Sequence, residues 1–254
     1  MLFGGIALVV ALFVYRRARK TGAWRKQMAT TPTLPVAQLE AMRRQVVRPN
    51  PQGGFRMGAE VVGVAQPGPR GLLSAEVSKT PCVWCRYRVQ ERTYHTSDGH
   101  RHERWEKVAE GQSVDEFLLV DRYGGRIQVR PGGVRVEHVE KTVDAYRRDA
   151  THETVDVFGL QWSRGRGTLG YRYEEWIIRP GAWLYVLGEA QDVTGPLVMS
   201  QPADGSDFLI SGKSEADLSA EVTRRHELQM AGVIALLVVV VAEVAFDIWL
   251  YNRW

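Results

Sequence analysis

The sequence predicts an α+β chain that is mainly β: a β-barrel-like domain framed by two transmembrane helices, the second continuous with a long helix. Three observations carry this. Both ends are apolar, at residues 2–15 and 230–250. The stretch between them alternates in short runs broken by Gly and Pro at regular spacing, which argues a closed barrel or a sandwich. Charged residues are 24% and hydrophobic residues 44%, so the middle is globular material able to bury a core.

The first apolar run, LFGGIALVVALFVY, covers about 21 Å as a helix against a hydrocarbon core of about 30 Å. Arg16 and Arg17 follow it and can snorkel. Nothing basic precedes Leu2 and no small-residue cleavage site follows, so a retained signal-anchor is expected. The second run, MAGVIALLVVVVAEVAFDIWL, is long enough to span, with Trp249, Tyr251 and Trp254 where an aromatic belt belongs. Basic residues cluster at 16–26 and 224–225, on the inner flanks. The positive-inside rule then puts the central domain in the cytoplasm and both termini outside. The expected organisation is a first transmembrane helix at 1–17, a basic segment with a short amphipathic helix and linker at 18–57, a β-rich domain at 58–212, a juxtamembrane helix at 213–229 and a second transmembrane helix at 230–251.

Within that frame, residues 35–45 have helical spacing through Leu39 and Met42, and residues 48–54 read as a linker. Strands are expected at 59–66, 72–74, 83–94 and 105–109, the last two joined as a hairpin across Asp98-Gly99. A second hairpin pairs 117–121 with 126–130, and 134–138 follows. Residues 139–170 lack a pattern and are read as a helical or irregular insertion. Strands resume at 171–178, 183–190 and 208–210. The V-x-G-x-A-Q core of 59–69 echoes residues 183–196, either as equivalent strands or by chance. Ser214 with Asp217 makes a capping pair for one long helix over 215–251.

The run PCVWCRYRVQER at 81–92, then Trp105, FLLVDRYGGRIQV, IRPGAWLYVLGEA and FLISGKSEADLSAEVTRRHELQMAGV resemble, in order and spacing, the GIDE domain. That is the β-rich "beside a membrane" domain of the mitochondrial membrane-anchored E3 ubiquitin ligase and its bacterial and other prokaryotic relatives. The resemblance implies a barrel domain, OB-like being one form open to it, between two membrane helices. It also implies a RING after the second helix, which needs eight paired Cys/His zinc ligands. This sequence holds two cysteines and reaches only Trp254, so ubiquitin transfer through a RING is not expected.

Among candidate sites, Cys82 and Cys85 form a CxxC. On a continuous strand that spacing sends the thiols to opposite faces, so neither a bridge nor a metal site is expected. His95, His100 and His102 cluster on one hairpin, where a polar tip is the simpler account. No Ser-His-Asp order, P-loop or paired catalytic carboxylates stand out, and neither catalytic residues nor a cofactor are expected. Charge is balanced at +4 net, and Arg164 and Arg166 do not tip it toward nucleic acid. Pro81, Trp84, Arg86, Tyr87 and Trp105 carry the resemblance and are the candidate binding residues. Glu243 and Asp247 stand four apart in the second span, a costly placement that suggests an intramembrane pair facing a protein interior. Gly4, Gly5 and Ala7 would allow close helix contact, and homo-oligomerisation through the helices. The expected role is a binding, sensing or scaffolding module, with the bilayer and an unidentified protein as partners, or a member of the ligase family acting without its RING.

Overall fold

A computed structural model describes residues 2–47, 54–97, 100–148, 154–157, 160–163, 167–193 and 195–252. Side chains are described for these except at 2–7, 47, 154–157, 160–163, 247, 250 and 251. The expected linker at 48–54, the Asp98-Gly99 turn, Arg164 and Arg166 lie largely or wholly outside the described residues. The chain divides into two compact units, Met1–Pro32 with Lys213–Trp254, and Thr33–Gly212. Its helices are α1 (Leu2–Thr30), α2 (Val36–Val47) and α3 (Glu215–Tyr251).

In the helical unit α1 runs well past its apolar segment. Residues 16–28 are mostly Arg, Lys, Ala, Gln and Met, strong helix formers, and no breaker intervenes before Pro32. Ala11, Ala18, Trp24 and Met28 are buried on α1, and Leu218, Val222 and Val233 on α3, where the two helices pack. The Ala18 carbonyl lies 3.2 Å from His226 Nδ1. The α3 start agrees with the capping expectation: Ser214 Oγ accepts the Asp217 N–H at 3.2 Å and donates to its carboxylate at 2.6 Å. Among the described residues one helix, Glu215–Phe246, is long and apolar enough to cross a membrane, at mean hydropathy 2.4. The sequence reading expects two. The first apolar run ends after fourteen residues at Arg16, so α1 lacks an uncharged length sufficient by itself.

The second unit is built from β1 (Arg56–Gln66), β2 (Leu73–Ser74), β3 (Pro81–Cys82), β4 (Trp84–Ser97), β5 (His100–Gln112), β6 (Phe117–Val120), β7 (Arg126–Val129), β8 (Arg135–Glu137), β9 (Glu140–Arg147), β10 (Thr154–Val157), β11 (Leu160–Ser163), β12 (Thr168–Ile178), β13 (Trp183–Gln191), β14 (Val198–Ser200) and β15 (Leu209–Ser211). Five of these close a barrel in the order β1-β6-β7-β14-β13 and back to β1. Only the β7–β14 pairing in it is parallel. Closure happens on β1, where Val64 pairs with Trp183 on one side and Val120 on the other. The two echoing segments are neighbours, paired from Arg56↔Gln191 to Val64↔Trp183.

Alternation along these strands fills the barrel with Val61, Phe117, Leu119, Ile127, Val186 and Met199, all essentially unexposed. Helix α2 adds Val36 and Leu39 to that core. Its entry is held by Asp121, which accepts the Val36 N–H at 2.8 Å and, in its own turn, the Tyr123 and Gly125 N–H groups at 2.9 and 2.8 Å. A carboxylate there satisfies an orphan donor and complements the helix dipole.

A second, antiparallel sheet has the order β5-β4-β12-β9. The expected insertion at 139–170 is not helical: β9 is an edge strand and β10–β11 a hairpin. β9 hid because none of its residues is fully buried, so it shows no period-two apolar signal. On one face of this sheet Glu175 is completely buried. It accepts the Val77 and Ser78 N–H groups at 2.6 and 3.1 Å and the Thr142 hydroxyl at 2.8 Å, tying the β2–β3 turn to the sheet.

Two outcomes follow. A Cβ at Gly63 would lie 2.4 Å from the Val120 carbonyl oxygen and 2.8 Å from its carbon, so Gly63→Ala should cost about 2 kcal/mol in urea unfolding of the detergent-solubilised chain; a cost near zero would mean the seam can part freely. For Glu175, burial pushes the carboxyl up, but the bonds from Ser78, Val77 and Thr142 prevail and hold it below the usual carboxylate range. A lowered folded pKa contributes stability above the unfolded value, about 4.3, that is lost as pH falls through the folded one. Glu175→Gln should therefore be less stable by about 1–3 kcal/mol at pH 7, and the gap to wild type should narrow as pH falls below about 4. A gap that is constant with pH would refute an ionised Glu175.

Candidate functional site

The register of the second sheet gathers cations around one indole. Trp176 pairs with Arg86 on β4 and with Lys141 on β9, so all three project from the same face. The Arg86 guanidinium carbon lies 4.5 Å from the Trp176 ring centroid, Arg88 at 5.3 Å and Lys141 Nζ at 5.2 Å, within cation–π range. The pattern continues along the face. Arg92 lies 5.6 Å from Trp105, Trp105 meets Tyr146 edge-on at 5.8 Å, and Arg101 lies 4.2 Å from Tyr94.

Most of these cations are neutralised. Lys141 donates to Glu174 at 2.7 Å and Asp144 at 2.6 Å; Arg172 makes two bonds to Asp144; Arg88 lies 3.7 Å from Glu110 and 3.8 Å from Glu174; Arg92 binds Glu103. Arg86 differs. Among the described residues it has no ion pair, and its Nε is buried without a hydrogen-bond partner. Burial, and then Arg88 beside it, push its pKa down from the ordinary arginine value. A guanidinium held in this way gains from an added anion more than its paired neighbours do.

The sequence-predicted residues are not one cluster. Arg86 and Trp105 lie on this face, Trp105 being 43% exposed. Trp84 points into the barrel core at 0% exposure. Pro81 is exposed at the start of β3. Tyr87 projects to the opposite face, across Gly111, where a Cβ would lie 2.7 Å from the ring. Trp176, Lys141 and Arg88 complete the arrangement. Sequence reasoning missed Lys141 because β9 went unseen, and Trp176 because an alternating strand gives no sign of its cross-strand neighbours.

The cysteines overturn an expectation. Strand β3 ends at Cys82, Val83 bends, and β4 starts at Trp84. The bend breaks the alternation, and both thiols face one way, packed with Ala75 and Ile177. They are free and hydrogen-bonded to each other. Elsewhere, His95 and His102 pair across the β4–β5 hairpin with rings stacked at 5.4 Å. No group of three or more His, Cys, Asp or Glu side chains among the described residues could hold a metal ion. Glu243 is half-buried on α3, with one carboxylate oxygen lacking a partner; the Asp247 side chain lies outside the described residues, as do Gly4, Gly5 and Ala7.

Neither the comparison with curated proteins nor that with solved structures returned a match. The GIDE family, described as E3 ubiquitin ligase, matches residues 87–245. That span begins on the central strand at Tyr87, takes in Trp105, Lys141, Trp176 and the last barrel strands, and runs far along α3; the chain belongs to the GIDE family.

Proposed function

We propose that this chain is a membrane-anchored binding module whose second sheet receives an acidic segment of a partner protein at the inner membrane face. The observation that carries the reading is Arg86, a half-buried guanidinium stacked on Trp176 with no carboxylate of its own. Flanking Trp105 and Tyr146 add amphipathic contact area of the kind interfaces favour. The five-strand order is that of an OB-like barrel, with the second sheet formed by chain inserted between its strands.

Anchoring rests on α3, whose Ile234, Leu237, Val238, Val241 and Phe246 are exposed and apolar. Exposed Leu8, Val9, Leu12 and Phe13 on α1 support a second span as a signal-anchor, with the arginines after it completing the reach. The basic flanks put the central domain in the cytoplasm. Glu243, with its unpartnered oxygen, favours association of copies through the helices, paired with Asp247 at the same interface. The family description supports a second reading, participation in ubiquitin transfer as an adaptor. The two cysteines in these 254 residues both lie at the start of the second sheet, so direct RING chemistry is not drawn from them.

Photo-crosslinking from position 105 in native membranes should capture a discrete partner. Arg86→Gln should cut that capture by about tenfold, as losing a charged hydrogen bond predicts, and raised salt should weaken it. Capture indifferent to Arg86 and salt would refute the acidic-segment reading. A reporter fused at residue 100 should read as cytoplasmic; an external reading would reverse the orientation.

A further inference from the structure

We infer that Cys82 and Cys85 form a redox-active dithiol, with Cys85 as the attacking thiol and Cys82 as the resolving one, responsive to small-molecule disulfides. The argument starts from the bend at Val83, which brings two cysteines three apart onto one side of the chain. A buried pair kept only for packing needs no mutual contact, yet these thiols hydrogen-bond to each other.

Their exposures differ in a way that assigns roles. Cys82 is 0% exposed, whereas Cys85 is 7% exposed and lines an open pocket of about 390 Å³ with Tyr87, Gly111, Gln112 and Ser113. Ser113 Oγ accepts the Cys85 N–H at 3.1 Å and its hydroxyl supports the sulfur. The hydrogen bond from Cys82 lowers the Cys85 pKa in spite of burial and of Glu175 and Glu76 nearby, while Cys82 is pushed up by the same contact, then by burial. The thiolate is the nucleophile in exchange, so the two effects favour attack by Cys85.

The step balances as follows. Cys85 thiolate attacks one sulfur of a disulfide RSSR; the Cys85–SR bond forms, the S–S bond breaks, and RS⁻ leaves to take up a proton. Cys82 then loses its proton and attacks the Cys85 sulfur; the Cys82–Cys85 bond forms and the second RS⁻ departs. The dithiol gives up two electrons and two protons, and one RSSR becomes two RSH.

The test uses the full chain in detergent, equilibrated in mixtures of reduced and oxidised glutathione, acid-quenched, alkylated and weighed. Both thiols should disappear together, with a Cys82–Cys85 link in the proteolytic peptide. Cys82→Ser should accumulate a glutathione adduct on Cys85, and Cys85→Ser should take up none. On the reduced native chain Cys85 should alkylate about tenfold faster than Cys82, the difference vanishing in denaturant. Independent single adducts, no internal link at any ratio, or faster reaction at Cys82 would overturn the inference. The wild-type measurements need no variant, so a serine variant that fails to fold does not shield it.

Discussion

The structure of the barrel unit depends on how closely the backbone of β1 can approach its neighbours. Val64 pairs on both sides, and Gly63 and Gly68 sit where a side chain would strike the Val120 and Glu116 carbonyls. This close approach lets one strand serve two neighbours and turns an open sheet into a closed one, which removes its edges. The glycines are there for space, since Gly63 and Gly68 have ordinary negative φ. Once closed, the barrel buries Phe117, Leu119, Val186 and Met199 without help from a second layer, apart from Val36 and Leu39 of α2 at one place.

Closure also frees the connections. The chain between β1 and β6 and the chain between β7 and β13 are long, and each sends out paired strands that meet as the four-stranded sheet. Its two sides face different demands. One is lined by Ile177, Cys85 and buried Glu175 and is covered by the β2–β3 turn. The other stays open and charged, and its aromatic rings are covered by cations in place of apolar neighbours. A face built this way stays solvated while presenting large rigid surfaces.

Much of this was legible in the sequence, for reasons that separate local from non-local information. The hairpins at β4–β5 and β6–β7 announce themselves by alternation on both sides of turn residues. The long α3, from its Ser214 cap onward, follows from helical spacing without a breaker. What failed depends on contacts between distant segments. β9 and β14 are short or unburied on both faces and gain their identity only by pairing with β12 and β13. The Arg86 site needs Trp176 and Lys141, ninety and fifty-five residues away, and no periodicity predicts which cross-strand neighbours will meet. Extending the first helix to Thr30 needed propensity alone, but the charge run masked it.

The cysteines show the limit of alternation more sharply. Period two is a property of an unbroken strand, and a single bent residue reverses the parity of everything before it. Val83 does this, and so Cys82 joins Cys85 where continuous pairing would part them. From Trp84 onward parity holds, which sends Trp84 into the barrel core, Cys85 toward the enclosed pocket and Arg86 to the open face in three consecutive residues. One peptide unit thus separates a thiol that needs partial enclosure from a cation that needs an open approach. The sheet keeps these environments apart because neighbouring side chains on a strand cannot share a side. The stretch that carries the family resemblance is consequently both the seam between barrel and second sheet and the source of two chemically distinct surfaces.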